Sequence, residues 1–228
     1  MFGDTWTRFR ATKTYDFLAA LPLVIWYGDA LRHQLPLLAN GFRALGSGAI
    51  ASFSLLQFLA VIGSAVFNLA LVIALLVRSK PVARSRGVLP RLTALIGTFL
   101  SVAILRLPAA TPPPFIQALA DVLIFGGSVA SALVLRRLGA AFAIMPEARA
   151  LVTGGPYAMA RHPLYVTEAL VLLGTMLQFR QPWAALLGVA TFVLIYLRTI
   201  FEERVLMAEY PQYAAYRDRT ARFIPGLF

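Results

Sequence analysis

Apolar runs long enough to cross a bilayer alternate along this chain with short basic or proline-rich connections. A spanning helix needs about 20 mostly apolar residues. Ile50 to Val77 holds no charged residue, and Phe115 to Leu135 holds only Asp121. Leu92 to Leu105 is shorter, but Arg91 and Arg106 at its ends can extend to the headgroups. Pro163 to Phe179 and Pro182 to Leu197 are split only by Arg180 and Gln181, a break that predicts an antiparallel helical hairpin. Phe17 to Gly28 carries Pro22 and reaches bilayer length only if Asp29 to Leu38 joins it. The final stretch, Glu202 to Phe228, is charged, rich in Tyr and interrupted by Pro211 and Pro225. It predicts an amphipathic segment on the membrane surface rather than a further crossing. The expected fold is an all-α polytopic membrane bundle of five or six transmembrane helices. It has a C-terminal helical hairpin and a cytoplasmic amphipathic tail.

Composition supports that pattern. Of 228 residues, 59% are hydrophobic and 14% charged, and the mean hydropathy is +0.74. A soluble domain carries about a quarter charged residues, so a water-facing globule and a disordered chain are both excluded. The net charge is +11, from 21 Lys and Arg against 10 Asp and Glu. On an apolar chain this points to anionic lipid headgroups and cytoplasmic loops, not to nucleic acid. With six crossings and both termini inside, seventeen of the 21 basic residues fall on one side, leaving Arg32, Arg43, Arg106 and Arg180 on the other. That asymmetry fits an integral membrane protein, of bacterial inner-membrane type, with its basic side in the cytoplasm. Residues 1–15 are polar and lack a small-residue cleavage pattern, so no cleaved leader is expected. Cys is absent, and His33 and His162 are the only histidines, which excludes a thiol nucleophile and leaves no metal expected.

Two stretches gather polar groups at the basic ends of the last helices. The first runs Leu151-Val-Thr-Gly-Gly-Pro-Tyr-Ala-Met-Ala-Arg-His-Pro-Leu-Tyr-Val-Thr-Glu168. The second is Glu202-Glu-Arg-Val-Leu206, followed by Tyr210-Pro-Gln-Tyr-Ala-Ala-Tyr216 and Ile224-Pro-Gly-Leu-Phe228. In that order, with a hydrophobic hairpin between them, they resemble the integral-membrane methyltransferases typified by isoprenylcysteine carboxyl methyltransferase, with phospholipid methyltransferases as relatives. The resemblance covers residues 138–228, leaving residues 1–137 as scaffold helices. Thr167 departs from it, since many members have Gly there. The resemblance implies S-adenosylmethionine as methyl donor, bound at the cytoplasmic side between the hairpin ends and the tail. It implies a lipophilic acceptor drawn from the membrane lipid phase: a prenylated cysteine carboxylate, a phospholipid amine or another small lipophile.

The residue types suit that chemistry. Pro163 fits the first turn of a helix, whose free N–H groups attract an anion such as a cofactor carboxylate, assisted by Arg161. Gly154 and Gly155 permit close backbone approach. Glu168, Glu202 and Glu203 can accept from ammonium or hydroxyl groups. The faces of Tyr157, Tyr165, Tyr213 and Tyr216 can hold an adenine or a sulfonium. Methyl transfer chiefly requires alignment and exclusion of water. An amine acceptor must also lose a proton, which His162 or a glutamate can take. Arg161, His162 and Glu203 are therefore the expected catalytic group. The cofactor set adds Gly155, Tyr157, Pro163, Tyr165, Glu168, Glu202, Tyr213 and Tyr216. Simpler roles stand beside these: Arg161 on lipid phosphate, the tyrosines as an interfacial belt, and Glu202 paired with Arg198 four residues earlier. Glu203, with Thr199 at that spacing, is the freer carboxylate by this reading. Asp121 is expected to pair with another helix. The alternative function is a small transporter or assembly factor, which needs a polar path; the spans offer Asp121, Glu168, Gln57 and Asn68 for it.

Overall fold

The computed structural model describes residues 12–48 and 55–226. Arg8 and Arg10, the first residues of the Ile50 run, and the last two residues of the Ile-Pro-Gly-Leu-Phe tail lie outside the described residues. The chain is an all-α bundle. In order, the elements are α1 (Lys13–Gly46), α2 (Leu55–Val77), β1 (Ala83–Arg84), α3 (Leu89–Ala103), α4 (Pro114–Leu138), β2 (Glu147–Ala148), α5 (Pro163–Gln178), α6 (Trp183–Glu209) and α7 (Tyr213–Arg219). Among the described residues, four helical stretches are long and apolar enough to cross a membrane: Leu55–Val77, Leu89–Arg106, Pro114–Ala141 and Trp183–Glu209; Pro163–Gln178 is apolar but shorter.

The doubtful first segment is one helix of 34 residues. It starts on Thr12, whose Oγ1 accepts from the Tyr15 N–H, and runs through Pro22 and Pro36. Packing against α2 holds it together across both prolines. At Gly41 the helix passes so close to Phe58 of α2 that a Cβ there would stand 2.2 Å from the ring. Arg32, expected beyond the bilayer, lies partway along this helix in an exposed pair with Asp29.

The helices pack α1 on α2, α2 on α4, α4 on α5, α5 on α6 and α6 on α3. Trp26 of α1 meets Phe99 of α3 edge-on at 5.7 Å, which brings the ends of that series together. Backbones touch most closely between α4 and α5. Cβ atoms at Gly127 and Gly174 would lie 2.9 Å from the Thr167 carbonyl and 2.7 Å from the Ala120 carbonyl. Such small-residue contacts are how helices approach without a hydrophobic driving force. Thr167, the departure from the family pattern, is part of this seam: it donates to the Leu164 carbonyl and accepts from Ser131 of α4 at 2.8 Å.

One end of the bundle is tied by its loops. β1 and β2 pair antiparallel, Ala83 opposite Ala148 and Arg84 opposite Glu147. Beneath them Asp16 of α1 is buried between Arg78 (2.8 Å) and Arg149 (2.7 Å), and Arg149 also reaches Glu147 at 2.8 Å. At the opposite end the hairpin turn is held by Ala110 N–H to the Gln178 carbonyl and Arg180 N–H to the Pro108 carbonyl.

α6 continues twelve residues past the expected end of its apolar run at Leu197, so Glu202 and Glu203 belong to the second hairpin helix and not to the tail. The tail proper begins at Tyr210. Its α7 is amphipathic, but the face formed by Tyr213 and Tyr216 is buried against protein, while Arg217, Asp218 and Arg219 are exposed. The segment that follows folds back on the motif turn: the Arg161 N–H donates to the Ala221 carbonyl and the His162 N–H to that of Arg222.

Candidate active site

Arg-His-Pro is the entry to α5. Pro163 occupies its first turn and His162 its N-cap. The turn before it contains Gly155 at φ +64°, a left-handed conformation natural to glycine. A Cβ there would stand 3.1 Å from Nε of Arg137, so the glycine also makes room for that guanidinium.

The four residues Arg161, His162, Glu202 and Glu203 come together in two linked sets. Glu203 is the hub of the first and is 7% exposed. Its Oε1 accepts from Arg161 Nε at 2.9 Å and lies 3.1 Å from His162 Nε2; its Oε2 accepts from an Arg222 nitrogen at 2.8 Å. Arg161 further donates to the carbonyls of Arg217 and Thr220, both at 2.8 Å, fastening the tail. Glu202 anchors the second set. It accepts from Arg198 Nε at 3.0 Å, the helical pair foreseen, and from Tyr165 Oη at 2.5 Å. Arg198 lies over the Tyr165 ring at 5.1 Å and donates to the Ala143 carbonyl.

Arg222 was invisible to sequence spacing, because it meets Glu203 from 19 residues away across a chain reversal. The Tyr216 hydroxyl donates to the Tyr157 carbonyl at 2.6 Å, binding α7 to the Gly-Pro-Tyr turn. Burial pushes the Tyr216 phenol up to about 12, against the opposing pull of Arg161. Burial likewise raises Tyr213, with Glu203 adding to the shift. Both hydroxyls are therefore protonated at neutral pH.

All six long helices face a cavity of about 640 Å³. Tyr157, Arg161, His162, Tyr165, Glu168, Glu202, Tyr213 and Tyr216 line one end of it. Gly155, Pro163 and Glu203 are not among its lining residues; Glu203, the carboxylate read as the freer one, is saturated by three partners drawn from other elements. Two groups on the cavity wall lack such partners. Among the described residues the Glu168 carboxylate makes no hydrogen bond and feels Arg198 only at longer range, and Tyr213, 1% exposed, has a buried hydroxyl without a hydrogen-bond partner. Asp121 accepts from Gln178 of α5 at 2.8 Å, the interhelical pairing expected of it. Asp121, Glu168, Gln57 and Asn68, the four polar groups noted in the spans, all line the cavity. Among the described residues no cluster of three His, Cys, Asp or Glu side chains forms.

Comparison with known proteins places this geometry. Residues 115–213 match the family Phospholipid methyltransferase. The chain is 38% identical over 78 residues to the cobalt-zinc-cadmium resistance protein CzcN of Cupriavidus metallidurans, which is 34% of this chain and 36% of that protein. It is 42% identical over 80 residues to the nickel-cobalt-cadmium resistance protein NccN of Alcaligenes xylosoxydans xylosoxydans, 34% of this chain and 37% of that protein. The matched stretch thus spans little more than a third of each curated relative. The stretch from α4 through the motif turn and the hairpin to Tyr213 is therefore similar to the phospholipid methyltransferase family.

Proposed function

We propose that the protein is an integral-membrane methyltransferase that uses S-adenosylmethionine and acts on a lipophilic acceptor, with its donor site facing the cytoplasm. The observation that carries this reading is the buried Tyr213 Oη, without a hydrogen-bond partner among the described residues, on the same cavity wall as the Glu168 carboxylate and inside the matched segment. A buried hydroxyl without a partner costs about 1–3 kcal/mol, and a carboxylate at membrane depth that makes no hydrogen bond is costly as well. Both losses are recovered when a ligand supplies an ammonium or a ribose diol.

The residues present fit the cofactor. Glu168 suits its ammonium, Tyr213 a hydroxyl or carboxylate oxygen, and the rings of Tyr157 and Tyr165 an adenine or a sulfonium. When bound, the cofactor supplies a methyl group already activated by its sulfonium. The protein's own part is alignment and exclusion of water. Arg161 and Glu203 brace the turn and the tail over the cavity. Glu202, fixed by Arg198 and Tyr165, keeps a negative charge beside the cationic donor. When His162 donates through Nε2 to Glu203, its Nδ1 carries the lone pair. That nitrogen lies 3.7 Å from Glu202 and can take a proton from an amine acceptor.

The test is ligand-linked stability. Purified protein should unfold at higher temperature in the presence of S-adenosylmethionine or its demethylated product. Glu168→Gln should abolish that response. Tyr213→Phe should leave the ligand-free protein as stable or more so, because it removes an unpaired hydroxyl, and yet weaken the response. A folded sample that does not respond to millimolar cofactor overturns the reading.

A further inference from the structure

The far part of the cavity is built differently from the motif end. Asp121 of α4 lines it at 1% exposure, with no cationic partner among the described residues. Its carboxylate receives only neutral donors. The Gln178 amide reaches Oδ1 at 2.8 Å, and one Gln117 amide is shared between Oδ1 at 3.1 Å and Oδ2 at 3.2 Å. A carboxylate has about four acceptor sites, so Oδ2 in particular retains capacity. Two turns along the same face of α4, Ser128 is 0% exposed and lines the cavity, and its Oγ has no hydrogen-bond partner among the described residues. The facing hydroxyls of Thr98, Ser101 and Thr175 donate to carbonyls of their own helices at 2.7–2.8 Å. Their oxygens therefore meet the cavity as acceptors. The chamber offers an excess of acceptors and one uncompensated negative charge. A hydrocarbon chain would leave their remaining acceptor capacity unused. An anion would be repelled.

We propose that this chamber seats the remote end of the methyl acceptor and that this end carries a protonated amine. The inference rests on the methyl-transfer reading and narrows its substrate class to a bipolar amphiphile. Gln178 stands ten residues beyond Glu168 on α5, or about 15 Å at 1.5 Å per residue. The acceptor's two polar ends are separated by about that distance.

The experiment uses the full chain in nanodiscs of zwitterionic phosphatidylcholine. Thermal unfolding is followed with decylamine, with decanoate and, separately, with S-adenosylmethionine. Decylamine should stabilise the protein and decanoate should not, although the protein's net charge of +11 favours the anion. Asp121→Asn, which keeps shape and hydrogen bonding, should weaken decylamine at least about tenfold, the value of one charge-assisted hydrogen bond. Thr175→Val, which removes an acceptor one turn from Gln178, should weaken it less, and it supplies the test if Asp121→Asn does not fold. Equal stabilisation by decanoate, or an undiminished amine response in both variants, overturns the inference. Because the cofactor response is read in the same samples, loss of one response with the other intact shows which of the two readings has failed.

Discussion

At the scale of the residue, Glu203 does more than bind. Arg161, His162 and Arg222 converge on it from the motif turn and the tail. Removing its charge leaves three donors, at least two of them cationic, crowded around a neutral amide. Breaking a buried ion pair from one side costs about 3–5 kcal/mol. Glu203→Gln keeps the shape and an acceptor oxygen, so about 3 kcal/mol of unfolding free energy should be lost, measurable by denaturant titration in detergent. The cofactor response should weaken with it, because the tail loses its anchor. A variant with wild-type stability would show that the hub is dispensable. The sequence made the Glu202–Arg198 pair legible, since both residues sit one helical turn apart. It misjudged the neighbouring carboxylate for a physical reason: absence of a partner at i−4 says nothing about partners brought by a chain reversal. Arg222, and the Asp16–Arg78–Arg149 cluster likewise, join elements far apart in sequence and leave no periodic trace.

At the scale of the element, the seam between α4 and α5 sets the position of the motif helix. Gly174 admits no Cβ without pushing on the Ala120 carbonyl and Ile124 of α4, whereas nothing lies within 4 Å of a Cβ at Gly126. Gly174→Ala should therefore destabilise the protein by about 1–3 kcal/mol through overpacking. Gly126→Ala should be neutral or slightly stabilising, as helix propensity dictates. Thermal denaturation of the two variants side by side checks the contrast, and equal behaviour would remove close packing as the cause. The apolar helices were legible because unbroken apolar length is what a bilayer demands, except for the polar last twelve residues of α6. α1 was not. Its prolines and its exposed Asp29, Arg32 and His33 lower the hydropathy of a segment whose helix is held by packing on α2.

At the scale of the whole molecule, the basic residues described at the Asp16, β1–β2 and tail end oppose a basic-poor end near Pro108 and the hairpin turn. If the first end faces the cytoplasm, single cysteines placed in this cysteine-free chain report it directly. Ser85→Cys should resist a membrane-impermeant thiol reagent applied to intact cells and react after lysis. Ala110→Cys, beside the hairpin turn, should react in intact cells. The reverse pattern would invert the orientation and place the Arg-His-Pro site on the outer face.

The ring of helices around the cavity combines walls of two origins. α4 from Phe115, the motif turn, α5 and all of α6 lie within the matched family segment, while α1, α2 and α3 lie outside it. The groups suited to the donor stand on the first wall or on the tail that closes it. Of the groups proposed to meet an acceptor, Asp121, Thr175 and Gln178 stand on the first wall away from the motif turn, and Thr98 and Ser101 stand on the second. Substrate choice can therefore drift through changes in helices that no donor-binding motif reports. Two such proteins can share their recognisable segment closely and still modify unrelated molecules.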